Sequence, residues 1–106
     1  MIDLGVLLNR TLDIKLPSGN IISCGVPTEG DYIKIINLEN EINKKLIDNN
    51  STIEEISQMK DKELKLIFKD ASKEAKSELL GLNTRIKTYV TQEFINFIAQ
   101  IDKDPN

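Results

Sequence analysis

The side chains that could perform catalytic chemistry are few, and their spacing is typical of structural roles. The sequence has no histidine and one cysteine, Cys24, so the thiol has no imidazole to activate it. The carboxylate pairs Glu54/Glu55 and Asp61/Glu63 lie among lysines at the starts of amphipathic stretches, where acidic residues favour the helix dipole. We expect these carboxylates to lie on solvated helix faces. The five glycines are too dispersed for a nucleotide-binding loop. The prediction is therefore a protein without enzymatic activity and without catalytic, cofactor-binding or metal-binding residues.

The charge balance limits the class of partner. The chain has 14 basic and 17 acidic residues, which gives a formal net charge of −3 and a pI near 5.0. Proteins that bind DNA or RNA usually present a basic face that displaces counterions from phosphates. The arginines are Arg10 and Arg85, too few for a phosphate clamp. We expect no nucleic-acid partner.

No stretch of the sequence has the composition of a targeting or membrane-spanning segment. Residues 1–5 lack the basic region of a secretory signal. No apolar run reaches the roughly 18–20 residues that a membrane span requires. A single cysteine fits a reducing compartment. The prediction is a cytoplasmic protein with no membrane partner.

The N-terminal quarter has the pattern of a β-hairpin. Apolar residues alternate along Leu12–Leu16, which places them on one face of a strand. The turn signal Pro17–Asn20 then precedes a second apolar run, Ile21–Val26. Two strands alone are marginally stable in water, so this hairpin must pack on helices, pair with another strand or extend a partner's sheet. Residues 2–9 suit either a third strand or a short helical turn.

The rest of the chain has helical periodicity, with apolar residues recurring at spacings of three and four. The predicted helices span approximately 28–47, 52–59, 61–80 and 84–101. The fold class is therefore α+β and mainly α, an N-terminal β-hairpin followed by a bundle of three or four α-helices. We predict a single domain over 1–106, with a hairpin region at 1–27, a helical region at 28–101 and a polar tail at 102–106.

The C-terminal helix carries an apolar surface broader than one narrow stripe. The bulky residues of its segment Phe94–Ile101 point in more than one direction around the helix. Such a helix can lie at the centre of its own bundle, or part of its face can meet another chain. On the second interpretation, the partner-binding residues are Phe94, Phe97, Ile98 and Ile101. The same face can also join two copies of this chain into a homo-oligomer.

The order of short motifs along the chain resembles that of a known family. The motifs are Leu4–Asn9, Thr11–Leu16, Pro17–Gly19, Val26–Thr28, Leu38–Glu39 and Asp102–Asn106. In this order the chain resembles the tail assembly chaperones of long-tailed, siphovirus-like phages and prophages of Gram-positive bacteria. The second strand departs from the family pattern, because Cys24 and Gly25 stand where a more polar strand end is usual.

The resemblance implies a non-enzymatic function in virion assembly. Such chaperones bind the long, mostly helical tape-measure protein, keep its apolar surface from aggregating and help tail-tube subunits polymerise around it. Many are also made in a longer form by translational frameshifting, and this chain would be the shorter product. The expected partners are thus the tape-measure protein and, secondarily, the tail-tube protein. No family residue set is specific enough to transfer, so the four apolar residues above come from the helix pattern alone.

Two other classes of protein compete with this interpretation. One is a small helical adaptor or antitoxin-like regulatory protein that acts through a stable complex with one host protein. The other is a DNA-binding regulator with a helix-turn-helix between residues 51 and 80. The acidic pI and the absence of a basic recognition helix argue against the regulator.

Overall fold

A short helix, a β-hairpin and four longer helices follow one another along the chain. The computed structural model describes residues 1, 3–49 and 51–103. Its elements are α1 (Leu4–Leu8), β1 (Thr11–Lys15), β2 (Ile21–Gly25), α2 (Glu29–Asp48), α3 (Ile53–Ile67), α4 (Lys73–Leu80) and α5 (Thr84–Lys103). The predicted α+β, mainly helical fold class is confirmed.

The hairpin packs one face against the helices, as the alternation of its residues predicted. Strands β1 and β2 are antiparallel, with Leu12 opposite Cys24 and Ile14 opposite Ile22. Ile22 and Cys24 are buried, and Leu12 and Ile14 pack against the same core. Of the three ways to stabilise the hairpin, packing on helices is the one that the described residues adopt.

Burial also raises the pKa of the Cys24 thiol to about 11, so this thiol is a structural group.

The hairpin turn is attached to α4 by hydrogen bonds to one carboxylate. Gly19 has a φ of +96°, a backbone conformation that suits glycine. The N–H and the hydroxyl of Ser18 donate to the two oxygens of Glu78 at 2.9 and 2.6 Å. These hydrogen bonds from Ser18 hold the pKa of the Glu78 carboxyl below its usual value. The turn is therefore held against α4 as well as within the hairpin.

Each helix begins at a residue whose side chain accepts a hydrogen bond from a backbone N–H in the first turn. The capping residues are Asp3, Thr28, Thr52, Ser72 and Asn83. Such caps satisfy N–H groups that have no partner within the helix. Asp3 caps α1. Of the two structures expected for residues 2–9, a third strand or a short helical turn, the structure has the helical turn, over Leu4–Leu8.

The predicted boundary between the second and third helices is wrong. Helix α3 continues through residue 60 to Ile67, and the chain turns instead at 68–72. Phe68 leaves helical geometry with φ −107° and ψ 31° while its ring is buried, and Ser72 then caps α4. The C-terminal helix is also longer than predicted, since it includes Asp102 and Lys103 of the expected polar tail. The remaining tail residues, 104–106, lie outside the described part of the chain.

Helix α3 packs against α2, α4 and α5 and so lies at the centre of the helical region. The buried core contains residues from the hairpin, the four longer helices and the connection after α3. Its members are Leu16, Ile22, Cys24, Ile35, Leu64, Ile67, Phe68, Ala75, Leu79, Val90, Phe94 and Ile98. Hairpin and helices therefore share one core.

A matched pair of glycine substitutions tests the assigned backbone conformations. We expect Gly19→Ala to lower the free energy of unfolding by about 1 kcal/mol, because an L-residue is strained at positive φ. Gly30→Ala should instead raise it by about 0.5 kcal/mol, since Gly30 lies in α2 with open space around its Cα. Urea unfolding of both variants measures the difference. Equal effects of the two substitutions would contradict the assigned turn.

Candidate functional site

The structure places the four predicted partner-binding residues on the inner side of α5. Phe94 is 0% exposed and Ile98 is 9% exposed, and both belong to the core. Phe97 is half-buried against that core, and Ile101 is half-buried near the end of the helix. Phe94 has no exposed surface for a partner to contact, so Phe94 and Ile98 stabilise the fold in this structure. Partner binding through these four residues stays a prediction, and it would require α5 to leave the core.

An open groove lies elsewhere, where the α2–α3 connection meets the start of α5. We call it the end groove, and its volume is about 860 Å³. Its lining residues are Leu46, Asn49, Ser51, Thr52, Ile53, Ile56, Asn83, Thr84, Arg85 and Thr88. Ile56 is buried, whereas Leu46 and Ile53 are 58% and 80% exposed. Two large apolar side chains beside this groove are therefore mostly exposed to solvent.

Local sequence explains why the end groove is formed at this place. Asn49 ends α2 in the left-handed conformation, with a φ of 54°, which turns the chain back towards α3. Thr52 accepts a hydrogen bond from the Glu55 N–H and begins α3. Asn83 accepts one from the Ile86 N–H and begins α5. The groove thus lies between one helix end and two helix starts, all three fixed by capping.

The polar groups of the end groove provide hydrogen bonds but no acid–base pair. Its described lining includes hydroxyls, side-chain amides and the guanidinium of Arg85, and it includes no carboxylate, thiol or amine. The hydroxyl of Ser51 is buried and has no hydrogen-bond partner among the described residues. Over the same part of the chain, no cluster of three or more Cys, Asp or Glu side chains could hold a metal ion. The groove is chemically suited to binding an apolar side chain with polar groups around it.

A second group of chemically active side chains is sealed inside the fold. On α3, Lys60 is 2% and Glu63 is 0% exposed. The Lys60 ammonium donates to Glu39 of α2 at 3.0 Å and to Glu63 Oε1 at 3.4 Å. The other carboxyl oxygen of Glu63, Oε2, is buried without a hydrogen-bond partner. We call Glu39, Lys60 and Glu63 the buried triad.

The two carboxyls of the buried triad have opposite protonation preferences. Burial, followed by the neighbouring Glu39 carboxyl, raises the pKa of the Glu63 carboxyl. Burial also acts to raise the pKa of Glu39, but the neighbouring Glu63 and Lys60 side chains outweigh it and lower that pKa. Glu63 is thus the carboxyl that holds a proton, while Glu39 is ionised beside the Lys60 ammonium. One positive and one negative charge then remain inside the fold.

A further ion pair, between a buried lysine and a half-buried aspartate, extends this polar region to α5. The Lys87 ammonium is nearly buried and lies 2.7 Å from the Asp61 carboxylate of α3. The expectation that Asp61 and Glu63 lie on a solvated face is correct in part for Asp61 and wrong for Glu63. The sequence held a usable signal, because Lys60 and Glu63 are in phase with Ile56 and Ile67 on the apolar face of α3. Lys60 and Glu63 are almost inaccessible to solvent and Glu39 is half-buried, so the buried triad has a structural function in this fold.

Comparisons of the chain with protein-family models, with curated proteins and with solved structures give no match. Over the described residues, no helix combines the length and the apolar character needed to cross a membrane.

The raised pKa of Glu63 predicts a pH-dependent stability. The pKa of the Glu63 carboxyl is raised from 4.5, its value in the unfolded chain, to about 8 in the fold. The contribution of this carboxyl to the free energy of unfolding is therefore complete below pH 4.5. That contribution is lost as the pH rises through 8. The free energy of unfolding should therefore fall between pH 5.5 and 7.5, at a rate of the order of 1 kcal/mol per pH unit. Urea unfolding at several pH values measures this slope.

Glu63→Gln is the matched control, because it removes the titrating proton and keeps the side-chain shape. The sequence has no histidine, and no other described group has a pKa shifted into this range. The slope should therefore become nearly flat in the variant. Equal slopes for the wild-type and variant proteins would contradict the protonated state of Glu63.

Proposed function

We propose that this protein is a non-enzymatic tail assembly chaperone that binds a segment of the tape-measure protein of a long-tailed phage and assists tail-tube assembly. The observation that carries the proposal is the end groove, where Leu46 and Ile53 are exposed beside the buried Ile56. A helical client with apolar side chains one turn apart is the natural occupant of such a groove. The choice of client comes from the resemblance of the motif order to tail assembly chaperones.

The distribution of chemical groups supports binding over catalysis. Lys60 and Glu63, two of the most buried ionisable groups, lie inside the fold, and the described lining of the end groove has no carboxylate, thiol or amine. A chaperone needs only to cover apolar surface reversibly, which exposed aliphatic side chains can do. The net charge of −3 would also oppose aggregation of a complex with an apolar client.

The proposed function implies a place and a set of partners. Tail assembly takes place in the host cytoplasm, so the protein would act there. Its main partner would be the tape-measure protein, and its second the tail-tube protein. A longer frameshifted form would carry the same globular region and an additional C-terminal segment.

Co-expression with the candidate client tests the proposal. The client is the long, helix-rich protein that a tail gene cluster encodes just downstream, and the assay is co-purification followed by a binding titration. We expect Ile53→Glu to weaken the complex about 10-fold or more, because a side chain that becomes buried on binding is replaced by a charge. Ile53 is in the first turn of α3 and is 80% exposed, so a glutamate there should not disturb folding.

Ile21→Glu is the matched control. Ile21 is 63% exposed on the hairpin and does not line the end groove, so this variant should bind the client within about 2-fold of wild type. Equal loss in both variants would contradict the assignment of the end groove. The DNA downstream of the gene is a further test. The tail-chaperone proposal would be contradicted by a gene that lacks a slippery seven-nucleotide frameshift site near its end and is followed by genes of unrelated function, with no long reading frame for a helix-rich protein. A tight complex with a single host protein would then favour the adaptor or antitoxin-like alternative.

A further inference from the structure

A second groove lies between α2 and α3, and its charge differs from that of the chain as a whole. We call it the lysine groove, and its volume is about 520 Å³. Its lining residues are Lys34, Asn37, Leu38, Lys62, Lys65 and Leu66. The three lysines are exposed, whereas Leu38 and Leu66 are half-buried. The groove therefore has apolar side chains at its base and ammonium groups around it.

The lysine groove is on the outer side of α3. When each residue advances by about 100°, the centre of the arc formed by residues 62, 65 and 66 lies roughly 155° around the helix from the centre of the buried residues 60, 63, 64 and 67. Leu66 lies at the border of the two arcs and packs partly against the core. The inner face of α3 contacts the buried triad and the core, and its outer face is open beside α2. One helix thus supplies both the centre of the fold and one wall of this groove.

The lysines of this groove differ from other lysines on or near α3 in having no carboxylate partner. Lys60 pairs with Glu39 and Glu63, and Lys69 pairs with Asp31. By contrast, Lys34, Lys62 and Lys65 make no ion pair with any other described residue. The Asp31 carboxyl has its pKa lowered mainly by its hydrogen bond with Lys69 and to a smaller extent by the charge of Lys34, but its ion pair is with Lys69. In an acidic protein, three ammonium groups without a paired carboxylate therefore surround one apolar groove. This arrangement is complementary in charge to an acidic ligand.

We propose that the lysine groove binds an amphipathic helix of a partner protein whose apolar strip is flanked by carboxylates. Apolar side chains one turn apart on that helix would contact Leu38 and Leu66. Lys62 and Lys65 are separated by about 4.5 Å along the axis of α3, so two carboxylates one helical turn apart can each approach one ammonium group. Lys34 would interact with a carboxylate on the other side of the apolar strip.

The apolar base of the groove favours a helix over other anionic macromolecules. Sequence-independent binding of single-stranded nucleic acid relies on aromatic side chains that stack on bases, and the groove has no aromatic residue in its described lining. A membrane surface would contact the lysines but could not reach two half-buried leucines between two helices. The proposal does not depend on the end groove or on its client.

Titration of the full chain, labelled with ¹⁵N, with a model peptide tests the proposal. The probe is a synthetic amphipathic helix with leucines one turn apart and glutamates on both sides of them. We expect chemical-shift changes centred on residues 34–38 and 62–66. The affinity should fall about 10-fold in the Lys62→Glu, Lys65→Glu double variant, because two attractions become repulsions at exposed sites. Raising the salt concentration should weaken the wild-type complex as well.

Two matched controls separate this result from general attraction between charges. Lys73→Glu, Lys76→Glu changes the net charge by the same amount on α4, and it should bind the peptide within about 2-fold of wild type. A scrambled peptide of identical composition should bind at least about 10-fold more weakly than the probe, because it has no continuous apolar strip. Circular dichroism confirms that both double variants remain folded.

Four outcomes would overturn the proposal. These are no binding of the probe up to about 1 mM, equal binding of the scrambled peptide, equal loss in both double variants, and shifts centred on the end groove. Tighter binding of oligo(dT) or of anionic phosphatidylserine vesicles than of the probe would assign the lysines to a different class of partner. None of these results depends on whether the tape-measure protein is the client of the end groove.

Discussion

A carboxyl buried at the centre of the helical region constrains the packing around it. Glu63 is fully buried on α3, the helix that contacts the three other long helices, and Lys60 of the same helix is almost as buried. Removing a charge from water is costly unless it is paired, so Lys60 requires Glu39 of α2, and Glu63 requires a proton. A shift of α2 along α3 would separate Lys60 from Glu39, and this fixes the register of the two helices.

The two faces and the N-terminal end of α3 differ in chemistry. Its inner face carries buried core residues together with Lys60 and Glu63. Its outer face carries unpaired lysines beside half-buried leucines, and its N-terminal end borders an apolar groove. One helix therefore presents buried charged groups to the core and surfaces with apolar residues to the outside.

The sequence predicted those parts of the fold that depend on local patterns. The alternation of apolar residues over 12–16 and the turn at Gly19 predicted the hairpin, and apolar residues at helical spacing predicted α2 and α5. The boundary at 68–72 was missed because Phe68 and Ala75 continue the apolar spacing across it, which hid the capping role of Ser72. Periodicity places Glu63 and Phe94 on the apolar faces of their helices, but it does not tell which elements cover those faces, and that packing decides their complete burial. The grooves were missed for the same reason, since each is formed by more than one element.

Hydrogen exchange of the backbone amides, measured with and without the helix-rich client, tests most directly where the protein binds. We expect slow exchange for residues 94–98 of the free protein, because α5 lies in the core, and no change there when the client is added. Residues 53–56 and 84–88, beside the end groove, should become more protected. Fast exchange at 94–101 in the free protein, with protection appearing there on client binding, would contradict binding at the end groove. The binding surface would then be the apolar face of α5.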